Sequence, residues 1–163
     1  MAGAVQLPQD LLALMRRGVS VIVSSCDQGM RPSIMRAVGS DLSADGRTVT
    51  AYLVRAQSRQ LIQDIAATGR VAVVFSEPAT HRTVQLKAGR AGTRQAGPQD
   101  QPVLARYLAS MEHEIARVGY PPAMTRAMLA HRLEDVVAIS FEPEQAFDQT
   151  PGPRAGTPLG AGR

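Results

Sequence analysis

Ser58-Arg59-Gln60 is the place in this 163-residue chain where residue type and spacing suggest chemistry first. A strand-like run, Tyr52-Leu53-Val54-Arg55, passes through Ala56-Gln57 into the triplet. Leu61, Ile62, Ile65 and Ala66 then recur at helical spacing, so the triplet opens a helix. A helix start offers unpaired backbone N–H groups and a partial positive charge. A hydroxyl and a guanidinium at its first positions would complete a cradle for phosphate. The other reading is a Ser cap followed by a solvated Arg. The local pattern leaves both open.

The remaining candidates are sparser. His81 stands in a His-x-Arg turn, where it could face a ligand, while His113 and His131 lie on predicted helices. No His-x-x-x-His or His/carboxylate group appears at ligand spacing, so no metal is expected. Cys26 is the single cysteine, which excludes an intrachain disulfide and makes a reducing compartment the simpler reading. At the end of a strand it reads as a small buried hydrophobe. Glu112 and Glu114 flank His113 and read as a solvated helix face; Met111, Met124 and Met128 are spaced as packing residues, for core or interface.

These groups must be held by elements the pattern predicts as follows. Leu7 to Arg17 is a first helix, opened by Pro8 and stopped by Gly18. Strands are predicted over Val19–Ser25, Ser33–Gly39, Thr48–Val54, Val71–Phe75, Thr80–Arg90 and Val136–Phe141, with turns at Asp27-Gln28-Gly29 and Ser43-Ala44-Asp45-Gly46. Helices are predicted over Gln57–Thr68, Pro98–Val118 and Pro121–Leu133. Six strands without βαβ alternation point to a mainly β (α+β) fold, a small antiparallel barrel with peripheral helices. One domain over residues 1–149 is expected, followed by a Gly/Pro-rich flexible tail over 150–163.

Composition narrows the function classes. Trp is absent and aromatics make up 4% of residues, so Val, Leu, Ile, Met and Ala must fill the core. Net charge is +4, carried by scattered arginines with Lys87 the one lysine, and there is no basic stripe interleaved with aromatics. Nucleic acid is therefore not an expected partner. No apolar run reaches the roughly 18 residues of a membrane span. Met1 to Leu7 lacks the pattern of a secretory signal, and a cytoplasmic location is expected.

Five segments in order resemble the pyridoxamine 5′-phosphate oxidase-like family. They are Val19-Ser-Val-Ile-Val-Ser-Ser, Gly29-Met-Arg-Pro, Tyr52-Leu-Val-Arg-Ala-Gln-Ser-Arg-Gln, Arg70-Val-Ala-Val-Val-Phe-Ser and Thr80-His-Arg-Thr-Val-Gln-Leu-Lys-Ala-Gly-Arg. The resemblance covers about residues 8 to 142. It implies a six-stranded split barrel that dimerises around FMN. By the same resemblance Ser58, Arg59 and Gln60 would hold the FMN phosphate, and Tyr52, Leu53 and Val54 would run along the isoalloxazine edge. Arg36 would face the flavin or its phosphate, with a surface strand residue as the alternative. Gln85 would bond the flavin or ribityl chain, with a barrel-interior bond as the alternative. The chain departs from authentic pyridoxamine phosphate oxidases, which carry a Lys where Gln60 stands and a C-terminal Trp. Oxidation of vitamin B6 is therefore not expected. The implied function is an FMN-dependent oxidoreductase acting on a small-molecule redox substrate. An F420 reductase, a non-catalytic flavin binder and a haem protein on the same barrel are the alternatives, with haem the least favoured.

Overall fold

The computed structural model describes residues 5–160; residues 1–4 and the end of the predicted tail, 161–163, lie outside the described residues. Helix α1 (Gln9–Arg17) begins after Pro8, with Asp10 in its first turn and Arg16 and Arg17 in its last, each matching the helix dipole. It buries Leu11, Leu12, Leu14 and Met15. Gly18 ends it at φ +85°, where an added Cβ would meet Ser110 Cβ at 3.1 Å and Tyr107 Cδ2 at 3.3 Å. Both the backbone sign and the close approach demand glycine there.

Among the described residues, ten strands follow in two antiparallel sheets. The larger has the order β10-β9-β6-β5-β1-β2 and the smaller β3-β4-β8-β7. Their ranges are β1 Ser20–Cys26, β2 Pro32–Arg36, β3 Gly39–Leu42, β4 Val49–Val54, β5 Val71–Ser76, β6 Thr83–Ala88, β7 Gly92–Gln95, β8 Val136–Phe141, β9 Gln145–Asp148 and β10 Thr157–Leu159. The two sheets form a split barrel. In β1, β5 and β6 burial alternates: Val21, Val23, Val73, Phe75, Val84 and Leu86 point inward. Strands β4 and β8 are buried on nearly every residue, as a sheet covered on both faces requires. The core is aliphatic, as the composition demands, and its largest members are Tyr52, Tyr107, Phe75 and Leu53.

Helix α2 (Arg59–Thr68) packs against β1 and β2, α3 (Gln101–Ala116) against β3, and α4 (Pro122–Met128) against α3. Four of the ten strands, β3, β7, β9 and β10, are short pieces outside the six that hydropathy alone marks. Strand β6 begins three residues later than predicted, because Glu77 N–H bonds Arg82 O and His81 takes φ +59° in the hairpin turn. Helix α4 is shorter than predicted, because the chain turns at Leu129 to bury it and then makes a 3₁₀ turn, Leu133–Asp135, into β8. Glu114 corrects the solvated-face expectation. It is 1% exposed and held by Arg17 Nε at 3.0 Å and Arg117 Nη1 at 3.4 Å, both of which also bind Glu77. Of the three methionines, Met111 is in the core, while Met124 and Met128 are exposed. Within the predicted tail, residues 150–156 turn the chain back so that β10 pairs with β9.

Candidate phosphate-binding site at the start of α2

Strand β4 delivers the chain into a 3₁₀ turn, Arg55–Gln57, pinned by Arg55 Nη2 to Gln95 Oε1 at 2.8 Å. Ser58 follows in the N-cap position, its N–H bonded to Arg55 O and its carbonyl accepting from Ile62 N–H at 2.9 Å. The cap reading requires the Ser58 hydroxyl to accept from the first turn, and it does not. Ser58 is 2% exposed and its Oγ has no hydrogen-bond partner. Among the described residues, the N–H groups of Arg59, Gln60 and Leu61 donate no hydrogen bond. Arg59 is exposed and makes no ion pair among the described residues. A buried hydroxyl left unpaired costs about 1–3 kcal/mol. Free amides, a free hydroxyl and a free guanidinium at one helix start are the donor set that an anion's oxygens satisfy. These residues fit a phosphate.

Gln60 is engaged differently. Its Nε2 donates to Asp64 Oδ1 at 2.8 Å, one turn along α2, and Ser33 Oγ of β2 donates to Asp64 Oδ2 at 2.5 Å. Asp64 is 4% exposed and borders a cleft of about 260 Å³ with Asp27, Arg31, Pro32 and Gln60. The Gln60–Asp64 spacing of four is visible in the sequence as a helical pair. The Ser33 contact is not, since it joins two elements 31 residues apart.

Tyr52, Leu53 and Val54 lie in β4 between β3 and β8, and all three are buried. The Tyr52 carbonyl is taken by Val38 N–H at 2.8 Å. Arg36 and Gln85 share one row across the outer face of the larger sheet, in the register Arg36, Ile22, Val74, Gln85, Phe147. Arg36 Nη1 donates to Ser20 Oγ at 2.7 Å, and Gln85 Oε1 accepts from Gln149 Nε2 at 3.3 Å. The structure thus places Ser58, Arg59 and Gln60 together at the end of β4, and Arg36 with Gln85 on a separate sheet face.

No family model matches the sequence, and no curated protein matches it. Solved structures do match. An F420 reductase aligns with TM-score 0.58 at 14% identity, over 86% of this chain and 98% of that one. A pyridoxamine 5′-phosphate oxidase candidate from Lactobacillus delbrueckii aligns with TM-score 0.53 at 14% identity, over 87% and 93%. HutZ, the heme storage protein of Vibrio cholerae, aligns with TM-score 0.51 at 11% identity, over 88% and 94%. The chain has the split-barrel fold of the pyridoxamine 5′-phosphate oxidase-like proteins. At these identities the likeness carries the fold alone.

Within this oxidase-like fold the side chain of Tyr52 serves the scaffold. Its hydroxyl donates to Asp100 Oδ1 at 2.8 Å, and Asp100 also takes both Arg94 nitrogens, at 2.7 and 2.8 Å, and Gly97 N–H at 2.9 Å. Arg94 holds the Asp100 carboxyl well below the usual carboxylate range, against the opposing effect of burial. Burial first, and then the hydrogen bond to Asp100, pushes the Tyr52 phenol up. Tyr107, buried, has its hydroxyl donated to Val19 O at 2.7 Å. Cys26 is only half-buried, with Sγ 3.9 Å from both Met30 Sδ and Arg70 Nη1. His81 and His113 are exposed, and His131 Nδ1 lies 2.9 Å from Leu129 O. No helix among the described residues is long and apolar enough to cross a membrane.

Proposed function

We propose that this chain is an oxidoreductase that holds the phosphate of a flavin-type cofactor, FMN or the deazaflavin F420, at Ser58 and Arg59. The observation that carries the reading is the buried, partnerless Ser58 Oγ at a helix start whose first amides and neighbouring guanidinium are also free. Bound there, such a cofactor supplies the hydride chemistry through its ring system. Ser58 and Arg59 anchor the phosphate, and Val54 ends β4 one 3₁₀ turn, Arg55–Gln57, before Ser58. Arg36 and Gln85 offer polar contacts from the larger sheet. Solved structures of the same fold include an F420 reductase and an oxidase candidate, which supports a redox role. The departures at Gln60 and the missing Trp argue against pyridoxamine phosphate as substrate.

The protein works as a homodimer in this reading. The outer face of the larger sheet carries Ile22, Ala72 and Val74, all only half-buried, beside Arg36 and Gln85, and Ile34 at its edge is 66% exposed. A second copy of the same face buries it with a two-fold axis, the commonest symmetry of soluble oligomers. A cytoplasmic setting fits the free thiol of Cys26.

The test is an absorption spectrum of the purified protein with the released cofactor identified by mass, followed by titration with FMN. A flavin or deazaflavin spectrum, or submillimolar FMN binding, supports the reading. A Soret band would replace it with a haem function. A colourless protein that binds neither FMN nor F420 would overturn it.

A further inference from the structure

After β9 the chain turns back to form the edge of the larger sheet, and the turn closes a cavity. Strand β10 pairs with β9 so that Thr157 stands opposite Asp148. Gly156 N–H bonds Asp148 O at 2.6 Å and Thr157 N–H bonds Arg154 O at 3.0 Å, which holds the backbone of both charged residues in one turn. Between this turn and the starts of α1 and β6 lies a cavity of about 420 Å³. Its charged lining is Asp10, Arg82, Asp148 and Arg154. Pro8, Leu11 and Leu159 supply apolar wall. None of these residues belongs to the α2 cradle.

The four charges are unequally committed. Arg82 pairs with Asp10. Asp148 accepts Thr150 N–H through one oxygen at 2.9 Å, and among the described residues neither Asp148 nor Arg154 enters an ion pair. Hydrogen bonds from Thr150 first, and then the charges of Arg154 and Arg82, hold the Asp148 carboxyl below the usual carboxylate range, so it is ionised at neutral pH. One uncommitted cation and one uncommitted anion therefore line the same cavity without closing on each other. Two arginines and two aspartates also leave the lining without net charge. A net ion entering it gives up hydration for a single partner, whereas a molecule with one charge of each sign meets both. The planar guanidinium fork suits a carboxylate, and the Asp148 carboxylate suits an ammonium. The volume falls within the roughly 300–1,000 Å³ of small-molecule sites.

We infer that this cavity is a second ligand site, for a small zwitterion: an α-amino acid with an apolar side chain. Its carboxylate takes the Arg154 guanidinium, its ammonium takes Asp148, and its side chain lies on Leu11 and Leu159. The site stands independently of the cofactor reading above.

The probes are leucine, N-acetylleucine and leucinamide, titrated calorimetrically into the full-length protein. Leucine carries both charges, N-acetylleucine only the carboxylate and leucinamide only the ammonium. Leucine should bind about 10-fold more tightly than either analogue, or better, since each analogue lacks one charge-assisted contact. Arg154→Ala should weaken leucine by about 10-fold and leave leucinamide unmoved. Asp148→Asn should weaken leucine by about the same factor and leave N-acetylleucine unmoved. Arg154 is exposed and its side chain has no ion-pair partner to lose, so should Asp148→Asn fail to fold, the Arg154 arm decides alone. An analogue that binds as tightly as leucine would make the cavity a site for a simple anion or cation and overturn the proposal. Equal losses for all three ligands in Arg154→Ala would make Arg154 merely structural and overturn it as well. So would the absence of binding by leucine, methionine and phenylalanine alike at about 10 mM, the weak end of the affinity scale.

Discussion

Two polar regions of this barrel are built from similar groups and finished in opposite ways. At the end of the smaller sheet, Asp100 accepts from Tyr52, from both arms of Arg94 and from Gly97 N–H, so its donors and acceptors match. At the start of α2, Ser58 Oγ is buried with no partner and the first-turn amides are free. Folding tends to pair every buried polar group, because an unpaired one costs as much as a hydrogen bond contributes. The completed cluster explains itself as scaffold. In the proposed reading, the incomplete one is completed by the phosphate of a bound cofactor.

The comparison breaks first at Asp100. Asp100→Ala leaves the Tyr52 hydroxyl and Gly97 N–H buried without an acceptor, and chemical denaturation should show a loss of about 3 kcal/mol. The acid dependence follows from the same carboxylate. Its folded pKa lies below its unfolded value, so its contribution is complete above the ordinary carboxylate pKa of about 4. It fades as pH falls below that value toward the depressed one. Asp100→Asn should therefore flatten the acid limb of stability measured between about pH 5 and pH 2. A limb of unchanged steepness would show that Asp100 is not what Arg94 stabilises.

Arg59→Ala should act in the other currency, function without stability. Arg59 is exposed and unpaired, so its loss should leave the denaturation midpoint within about 0.5 kcal/mol of wild type. A charge-assisted hydrogen bond to phosphate contributes about 1.5–3 kcal/mol, so FMN or F420 affinity should fall by about 10- to 100-fold. Unchanged affinity would remove Arg59 from the cradle. A smaller effect is expected at the proposed dimer face: Val74→Arg, at the centre of the Arg36–Phe147 row, should shift sedimentation toward the monomer. A single species of unchanged mass would place the interface elsewhere.

How much of this was legible in the sequence depended on how local the cause was. Val19–Ser25, Val71–Phe75 and Val136–Phe141 announce strands by runs of β-branched residues, and β1, β5 and β8 stand on them. Gly39–Leu42, Gly92–Gln95 and Thr157–Leu159 contain Gly, Asp, Pro or polar residues, and are strands because β4, β8 and β9 offer them ladders. The same divide runs through the site. Ser58 and Arg59 stand out from strand-to-helix spacing alone. Asp64 with Ser33, and Tyr52 with Asp100, join residues 31 and 48 apart, and no local pattern reports such contacts. Glu114 went the same way: its neighbours on α3 look solvated, but Arg17 reaches it from α1 across 97 residues.

Ser58→Ala gives the smallest effect and the one whose sign separates the two regions most cleanly. If Ser58 were a cap, the alanine would cost about 1 kcal/mol, as lost N-caps typically do. The hydroxyl here makes no cap bond, so its removal relieves a buried, unpaired oxygen. The ligand-free variant should therefore match the wild type or exceed it by up to about 1 kcal/mol in urea denaturation, while its affinity for the phosphate-bearing cofactor falls by about 5- to 10-fold. Truncation at the completed cluster lowers stability; truncation at the open one leaves stability intact and lowers binding. A destabilised Ser58→Ala with unchanged affinity would reverse that contrast and return Ser58 to the role of an ordinary cap.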